Sequence, residues 1–135
     1  PWFGAHMSVA GGLPRAVDRA EVHGCQALQI FAKNASQWRG RPIPPEEVRR
    51  FRARVDEARL EAVVSHASYL INLATTSPTL QAQSRAAMAD ELDRAEALGL
   101  LGVVLHPGCY TSGDPEEGLQ FIAQNLLGLL QDRPE

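Results

Sequence analysis

The sequence predicts an α/β fold made of four strand–helix units, and three observations support this prediction. Four short apolar segments alternate with four longer segments whose apolar residues recur at helical spacing. The short segments are nearly continuous in apolar character, which is typical of parallel strands covered on both faces. Their alternation with helices predicts a parallel sheet with right-handed crossovers. The chain of 135 residues is the size of a single domain, residues 1–135.

The first two units each start with a short apolar strand. Residues 2–6 form the first strand, and a glycine-rich turn leads into a helix that Gly24 ends. Residues 27–31 form the second strand, which is followed by a long loop over 33–44. Pro45 suits the first turn of the second helix, and the two glutamates after it complement the helix dipole.

The third and fourth units repeat this pattern. A strand over 62–66 precedes a helix that Ser77 caps and Gly99 ends. A strand over 102–106 precedes the last helix, where Asp114 provides the capping residue. The apolar stripe of this last helix is expected to bury four residues: Leu119, Ile122, Leu126 and Leu129.

Two architectures fit four such units: an open doubly wound sheet, or half of a (βα)8 barrel. A complete barrel needs about 250 residues and eight units, so the chain can supply half of one. Neither a GxGxxG loop nor a Walker A segment is present to indicate nucleotide binding.

Composition limits the function classes. Hydrophobic residues make up 44% and charged residues 21%, which excludes a disordered or coiled-coil chain. No apolar run approaches the ~20 residues of a membrane span, so we expect no membrane contact. Two cysteines and no visible signal peptide favour a reduced, cytoplasmic protein. The net charge is −3, but residues 33–54 carry a local charge of +5, which fits either a solvated helix face or a surface for a polyanion.

Three of the four histidines, His6, His66 and His106, end predicted strands. The carboxyl ends of parallel strands meet at one rim, so these imidazoles are expected to lie close together. Neutral imidazole is a good ligand for zinc. The alternative interpretation is three separate hydrogen-bonded strand ends. Cys109 follows closely and is interpreted as a small apolar loop residue.

Two loops at the same rim have the composition of a nucleic-acid contact. The loop after His66 exposes Tyr69 and Leu70, a pair that can wedge into a base stack or, alternatively, belong to a short packed helix. The other loop surrounds Trp38 with amide and basic side chains, which suit phosphates and stacking. Its candidate DNA-binding residues are Lys33, Asn34, Gln37 and Arg39.

These motifs together resemble the endonuclease IV family, the zinc-dependent apurinic/apyrimidinic endonucleases of DNA repair. The resemblance rests on GAHMS and AGG in the first unit, FAKN and QWR in the second, SYLINL after His66, and HPG at His106. The motifs follow the family order along the whole chain, which corresponds to the N-terminal half of a family member. The resemblance implies half of a xylose isomerase-like TIM barrel, in an enzyme that hydrolyses the phosphodiester 5′ to abasic sites in double-stranded DNA.

The resemblance also implies roles for individual residues. His66 and His106 match two ligands of one zinc ion in a cluster of three and would act catalytically through that ion. His6 matches a histidine at the site rim. The remaining ligands belong to the family's second half, so this chain is expected to hold at most one partial zinc site. Three residues match positions that contact DNA at the lesion: Gln37, Tyr69 and Leu70.

Two departures from the family pattern are Ser36, where an arginine is common, and Ala67, where an aspartate is common. Two other functions stay open. One is a metal-dependent sugar isomerase or epimerase of the xylose isomerase-like barrel group, which the two loops suit less well than DNA. The other is a catalytically inactive half-barrel that binds DNA or a partner. Open apolar sheet edges additionally predict self-association.

Overall fold

A computed structural model describes residues 1–111, 113–131 and 133. Within them, strands and helices alternate strictly, as the sequence predicts. The elements are β1 (Gly4–His6), α1 (Leu13–Val22), β2 (Ala27–Ile30), α2 (Pro45–Glu57), β3 (Ala62–His66), α3 (Pro78–Leu98), β4 (Gly102–Val104) and α4 (Pro115–Leu130).

The four strands form one parallel sheet in the order β1-β2-β3-β4. Each strand pairs with the next one along the chain, and His66 lies opposite Val104 in the register. A doubly wound sheet reverses its strand order at a switch point, whereas a barrel keeps sequential order. The prediction of four parallel βα units is confirmed, and the order selects the half-barrel over the doubly wound alternative.

The helix ends follow the local sequence. The Ser77 hydroxyl accepts a hydrogen bond from the Leu80 amide at 3.4 Å, and Asp114 accepts one from the Glu116 amide at 3.0 Å. Gly99 ends α3 with a φ of 69°, a conformation that glycine adopts without steric conflict. Because β4 ends at Val104, the histidine predicted to end that strand lies two residues beyond it.

The helices cover one face of the sheet only. Leu28, Ile30 and Val63 are buried beneath α1 and α2 in the larger core cluster. The alternating residues of the same strands, such as Gln29 and Val64, are half-buried and line an open concavity of about 350 Å³ on the other face. The expectation of strands covered on both faces is therefore wrong for this chain, since a half-barrel has only its outer helices.

The burial predicted for α4 is partly wrong. Three of the four residues, Ile122, Leu126 and Leu129, pack against a second core cluster, whose buried members are Ala67, Ile71, Leu73, Ala87 and Met88. Leu119, however, is 61% exposed. Gly118 is buried in its place, because it packs closely against Tyr110. A Cβ added to Gly118 would lie only 3.0 Å from the Tyr110 Cβ. No helix of the described residues has the length and apolar character that a bilayer crossing needs.

Candidate metal and nucleic-acid site

Five rings lie side by side at the rim where the strands end. The His6 and Phe31 ring centroids are 4.5 Å apart, and those of Phe31 and His66 are 5.6 Å apart. The ring centroids of His66 and His106 are 5.0 Å apart, and the two ring planes are inclined by 50°. The ring centroid of Tyr69 lies 5.3 Å from that of His66 and 6.2 Å from that of His106. The predicted convergence of three strand-end histidines on one rim is thus observed, with Phe31 between the first two.

The tautomer of His66 is fixed by its own backbone neighbourhood. His66 Nδ1 lies 2.8 Å from the carbonyl oxygen of Ala67, and the residue is 8% exposed. A carbonyl oxygen can only accept, so Nδ1 carries the hydrogen and Nε2 keeps its lone pair. That is the arrangement in which a histidine binds a metal while its other ring nitrogen is held by a neighbouring acceptor.

His6 is arranged differently. The Gln29 side-chain amide donates to His6 Nδ1 at 2.8 Å, which leaves the hydrogen on Nε2 in the neutral ring. Burial, and then charge repulsion between its ring and the neighbouring ring of His66, lower the pKa of His6 below its ordinary value. A neutral ring that presents an N–H suits the rim position predicted for it and would donate a hydrogen bond to a ligand oxygen.

The pair His66 and His106 fits half of a zinc ligand set. Among residues 1–111, 113–131 and 133, no three His, Cys, Asp or Glu side chains come together as a metal site. A structural or catalytic zinc site takes three or four protein ligands. Cys109 is exposed, and its carbonyl oxygen accepts a hydrogen bond from the Asn72 amide at 2.9 Å.

Lys33 does not lie where a DNA contact requires it. Its side chain is 1% exposed, and its ammonium lies 3.0 Å from Asp90 Oδ2 and 3.6 Å from Glu91 Oε1. The expectation that Lys33 binds DNA is corrected on this ground, because an ammonium enclosed by two carboxylates cannot reach a phosphate. Its hydrogen bond to the Trp38 carbonyl oxygen, at 3.3 Å, instead holds the loop that follows β2.

The other predicted residues of that loop are exposed. Asn34, Gln37 and Arg39 all present their side chains to solvent. Asn34 Oδ1 also accepts from the Ser36 amide at 2.9 Å, which forms a tight turn at the tip. Arg39 lines a cavity of about 530 Å³ with Trp38 beside α3.

The loop after His66 presents its aromatic residue outward. Tyr69 is 63% exposed and Leu70 is half-buried. The Ala35 carbonyl oxygen accepts from both Ser68 Oγ at 2.7 Å and the Tyr69 amide at 3.2 Å. The two loops predicted to contact DNA are therefore hydrogen-bonded to each other.

A further set of hydrogen bonds joins the loop after β3 to the loop after β4. The Leu73 amide donates to the Pro107 carbonyl oxygen at 2.8 Å. Gly108, with a φ of +117°, lies against the Asn72 side chain. The SYLINL and HPG motifs are thus in direct contact, and this contact supports the loop that carries His106.

Charged residues of α3 take part in the site, although sequence reasoning did not select them. Glu91 is 1% exposed, and its Oε1 accepts from the Ser68 amide at 3.0 Å. Burial raises the pKa of Glu91, and the Lys33 charge opposes that rise. The signal was available in the sequence, since Glu91 lies four residues from both Ala87 and Ala95 in the apolar stripe of the helix. Phe31, by contrast, was expected near the C-terminal end of the second strand, and its ring lies between those of His6 and His66.

The local charge of +5 has mainly a structural explanation. Arg54 of α2 pairs with Asp18, Glu21 and Glu57, each at 3.0 Å, on the helical surface between α1 and α2. Arg49 pairs with Glu46 of the same helix. Because these arginines are paired with acids of α1 and α2, they fit a solvated helix face better than a surface that binds DNA.

A family model described as a xylose isomerase-like TIM barrel matches residues 17–133. The chain is 40% identical over 134 residues to a probable endonuclease 4 of Trichlorobacter lovleyi. The matched region covers 99% of this chain and 48% of that protein. The chain thus spans about half the length of the curated relatives it matches.

The fold is also found in solved structures. The crystal structure of endonuclease IV from Thermus thermophilus matches with a TM-score of 0.82 and 41% identity, over 98% of this chain and 48% of that one. A crystal structure of D-psicose 3-epimerase in the presence of D-fructose matches with a TM-score of 0.73 over 97% of this chain and 48% of that one. At 10% identity, the likeness to the epimerase shows the fold alone.

Proposed function

The chain belongs to the xylose isomerase-like TIM barrel family, and on that premise we propose that it forms the N-terminal half of an endonuclease IV-type nuclease. The proposed reaction is hydrolysis of the phosphodiester 5′ to an abasic site in double-stranded DNA. The observation that carries the proposal is the contact of His66 with both His106 and the exposed Tyr69 at a single rim. Similarity to proteins named endonuclease 4 along almost the whole chain supports it.

We propose that the metal is zinc and that His66 and His106 provide two of its ligands. A bound zinc ion polarises a phosphate oxygen and lowers the pKa of water, so the chain needs no side-chain nucleophile. In this chain the contribution of His66 is a ring that the Ala67 carbonyl oxygen orients through Nδ1. The other ligands would come from the second half of a complete barrel.

The proposed DNA contacts come from the two loops that share the Ala35 carbonyl oxygen. Tyr69 and Leu70 would enter the base stack at the lesion, where a missing base makes unstacking easier. Gln37 would occupy the gap beside them, with Asn34 and Arg39 close to the backbone. Lys33 is not part of this set, because it is buried.

Two further proposals concern partners and compartment. The strands β1 and β4 are the edges of the sheet, and the residues before β1, Trp2 and Phe3, are 58% and 75% exposed. Unpaired edges beside exposed aromatic side chains favour self-association of this chain. Free Cys25 and Cys109 fit a reducing cytoplasm.

A DNA-binding assay with the chain itself tests the proposal. Fluorescence anisotropy compares a duplex that carries one tetrahydrofuran abasic analogue with the same duplex intact. We expect tighter binding of the abasic duplex, since extrusion at the lesion replaces lost base stacking with stacking on Tyr69. Equal affinity for the two duplexes would contradict the proposed lesion recognition.

A further inference from the structure

We propose that Glu91 is a positioning residue for lesion recognition. Its buried carboxylate holds the loop of Tyr69 and Leu70 in the arrangement that enters the DNA, with Lys33 as counter-ion. This inference rests on the proposed function, and it assigns a role to a residue of α3 that lies outside both DNA-facing loops.

Glu91 is hydrogen-bonded to the backbone of the loop that carries Tyr69. Glu91 Oε1 accepts from the Ser68 backbone amide at 3.0 Å. That amide directly precedes Tyr69, so its position determines where the tyrosine leaves the barrel. A hydrogen bond to an ionised acceptor is stronger than one between neutral groups.

The same charged centre, Glu91 with Lys33, also holds the other loop. The Lys33 ammonium lies 3.6 Å from Glu91 Oε1 and donates to the Trp38 carbonyl oxygen at 3.3 Å. The Ala35 carbonyl oxygen, between these two loop positions, accepts from Ser68 Oγ. Both proposed DNA loops are therefore fixed to α3 at one place, and their relative position depends on it.

The surroundings of the Glu91 carboxylate favour a positioning role over a stabilising one. Glu91 Oε2 is buried and has no hydrogen-bond partner among the described residues. A buried carboxylate oxygen without a partner is unfavourable, and buried ion pairs are often replaced by apolar residues without loss of stability. A carboxylate at this place is thus poorly explained by stability, whereas it is well explained by the loop that it orients.

The test measures how strongly the chain prefers an abasic duplex over an intact one. In Glu91→Ala, the ratio of the two affinities should fall about tenfold, as expected when a charged hydrogen bond that orders a loop is lost. Affinity for the intact duplex should not change. The fluorescence of a 2-aminopurine next to the lesion, which reports unstacking by an inserted side chain, should fall with the ratio.

Two further variants make the result decisive. Glu96→Ala removes an exposed acid of the same helix, whose only ion pair in the described residues is with Arg133 at 3.8 Å, and should keep the ratio of the wild type. The double variant K33M/E91L removes both buried charges together. It should unfold at or above the wild-type temperature and still lose the preference for the abasic duplex.

The outcomes separate this inference from the proposed function. If the wild-type chain does not prefer the abasic duplex, the proposed function fails. If the wild-type chain prefers the abasic duplex, and folded Glu91→Ala or K33M/E91L shows the same preference, only the role of Glu91 is overturned. Failure of K33M/E91L to fold would show that the pair serves stability, and this result would also overturn the inference.

Discussion

Gly108 leaves no room for a side chain beside Asn72. A Cβ added to Gly108 would stand 2.0 Å from Asn72 Oδ1, and the glycine has a φ of +117°. Asn72 in turn donates from Nδ2 to the Cys109 carbonyl oxygen at 2.9 Å. The close approach connects the loop after β3 to the loop that carries His106, and it explains why a glycine stands in the HPG segment.

Gly108→Ala should therefore destabilise the chain. Both the positive φ and the clash with Asn72 oppose an alanine, so we expect a loss of more than about 1 kcal/mol in the free energy of unfolding. Urea denaturation followed by circular dichroism measures it. Gly102→Ala is the matched control, because, apart from its chain neighbours, no heavy atom of the described residues lies within 4 Å of the Cβ position there. Equal effects of the two substitutions would refute this explanation.

In the isolated chain zinc should bind weakly at most, because a stable site needs three or four protein ligands, and any binding should depend on His66 and His106 together. Removal of either imidazole would take away one of the two proposed ligands, so His66→Ala and His106→Ala should each weaken zinc binding at least about tenfold. Competition with a chromophoric chelator measures the affinity. His23→Ala changes an exposed histidine at the end of α1 and should leave zinc binding unchanged. Wild-type affinity in both rim variants would remove the pair as the metal site.

Tyr69 should recognise the lesion through its ring and not through its hydroxyl group. Tyr69→Ala should reduce the preference for the abasic duplex by about 1–3 kcal/mol, the usual range for one base–aromatic stack. Tyr69→Phe keeps the ring and should retain the preference. Anisotropy titrations at one fixed salt concentration measure both. A phenylalanine variant as defective as the alanine variant would point to the hydroxyl group.

Acid should destabilise the chain partly through Asp90. Burial alone would raise the pKa of Asp90, but hydrogen bonds from Arg94 and Lys33 outweigh burial and lower it. A carboxyl group with a lowered folded pKa contributes stability above its unfolded pKa, and this contribution is lost as the pH falls below about 4. Asp90→Asn should therefore flatten the fall in stability between pH 5 and pH 3.

Urea unfolding at each pH measures this dependence. Asp93→Asn, which alters an exposed acid of the same helix, is the control. If Asp90→Asn loses stability with acid as steeply as the wild type, the ion pairs of Asp90 do not contribute as described.

Sedimentation velocity at low micromolar concentration tests the proposed self-association. Within the part of the chain that the structure describes, the edge strands β1 and β4 have no neighbour on their outer sides, and Trp2 and Phe3 are exposed beside β1. We expect a dimer or a larger species, since parallel edges of this kind recruit further strands. A stable, cooperative monomer would show that the edges are protected in another way.

The fold was predictable because each element carries its own local signal. The observed helix ends were predicted from the Ser77 cap, from Gly99 and from the prolines in the first helical turns. The rim was predicted from the histidines at the strand ends. Leu119 was predicted wrongly, because helical spacing alone does not show that Gly118 packs against Tyr110. The burial of Lys33 was not predictable either, since its two carboxylate partners lie more than fifty residues away in the sequence.

Cleavage of abasic DNA tests the central claim most directly. The measurement uses this chain joined to the C-terminal half of Thermus thermophilus endonuclease IV, the 41% identical protein of which it matches 48%. We expect zinc-dependent cleavage 5′ to a single abasic site in a labelled duplex, and no cleavage after His66→Ala. A folded, zinc-loaded chimera that leaves the abasic duplex intact, or that cleaves equally well without His66, would contradict the claim.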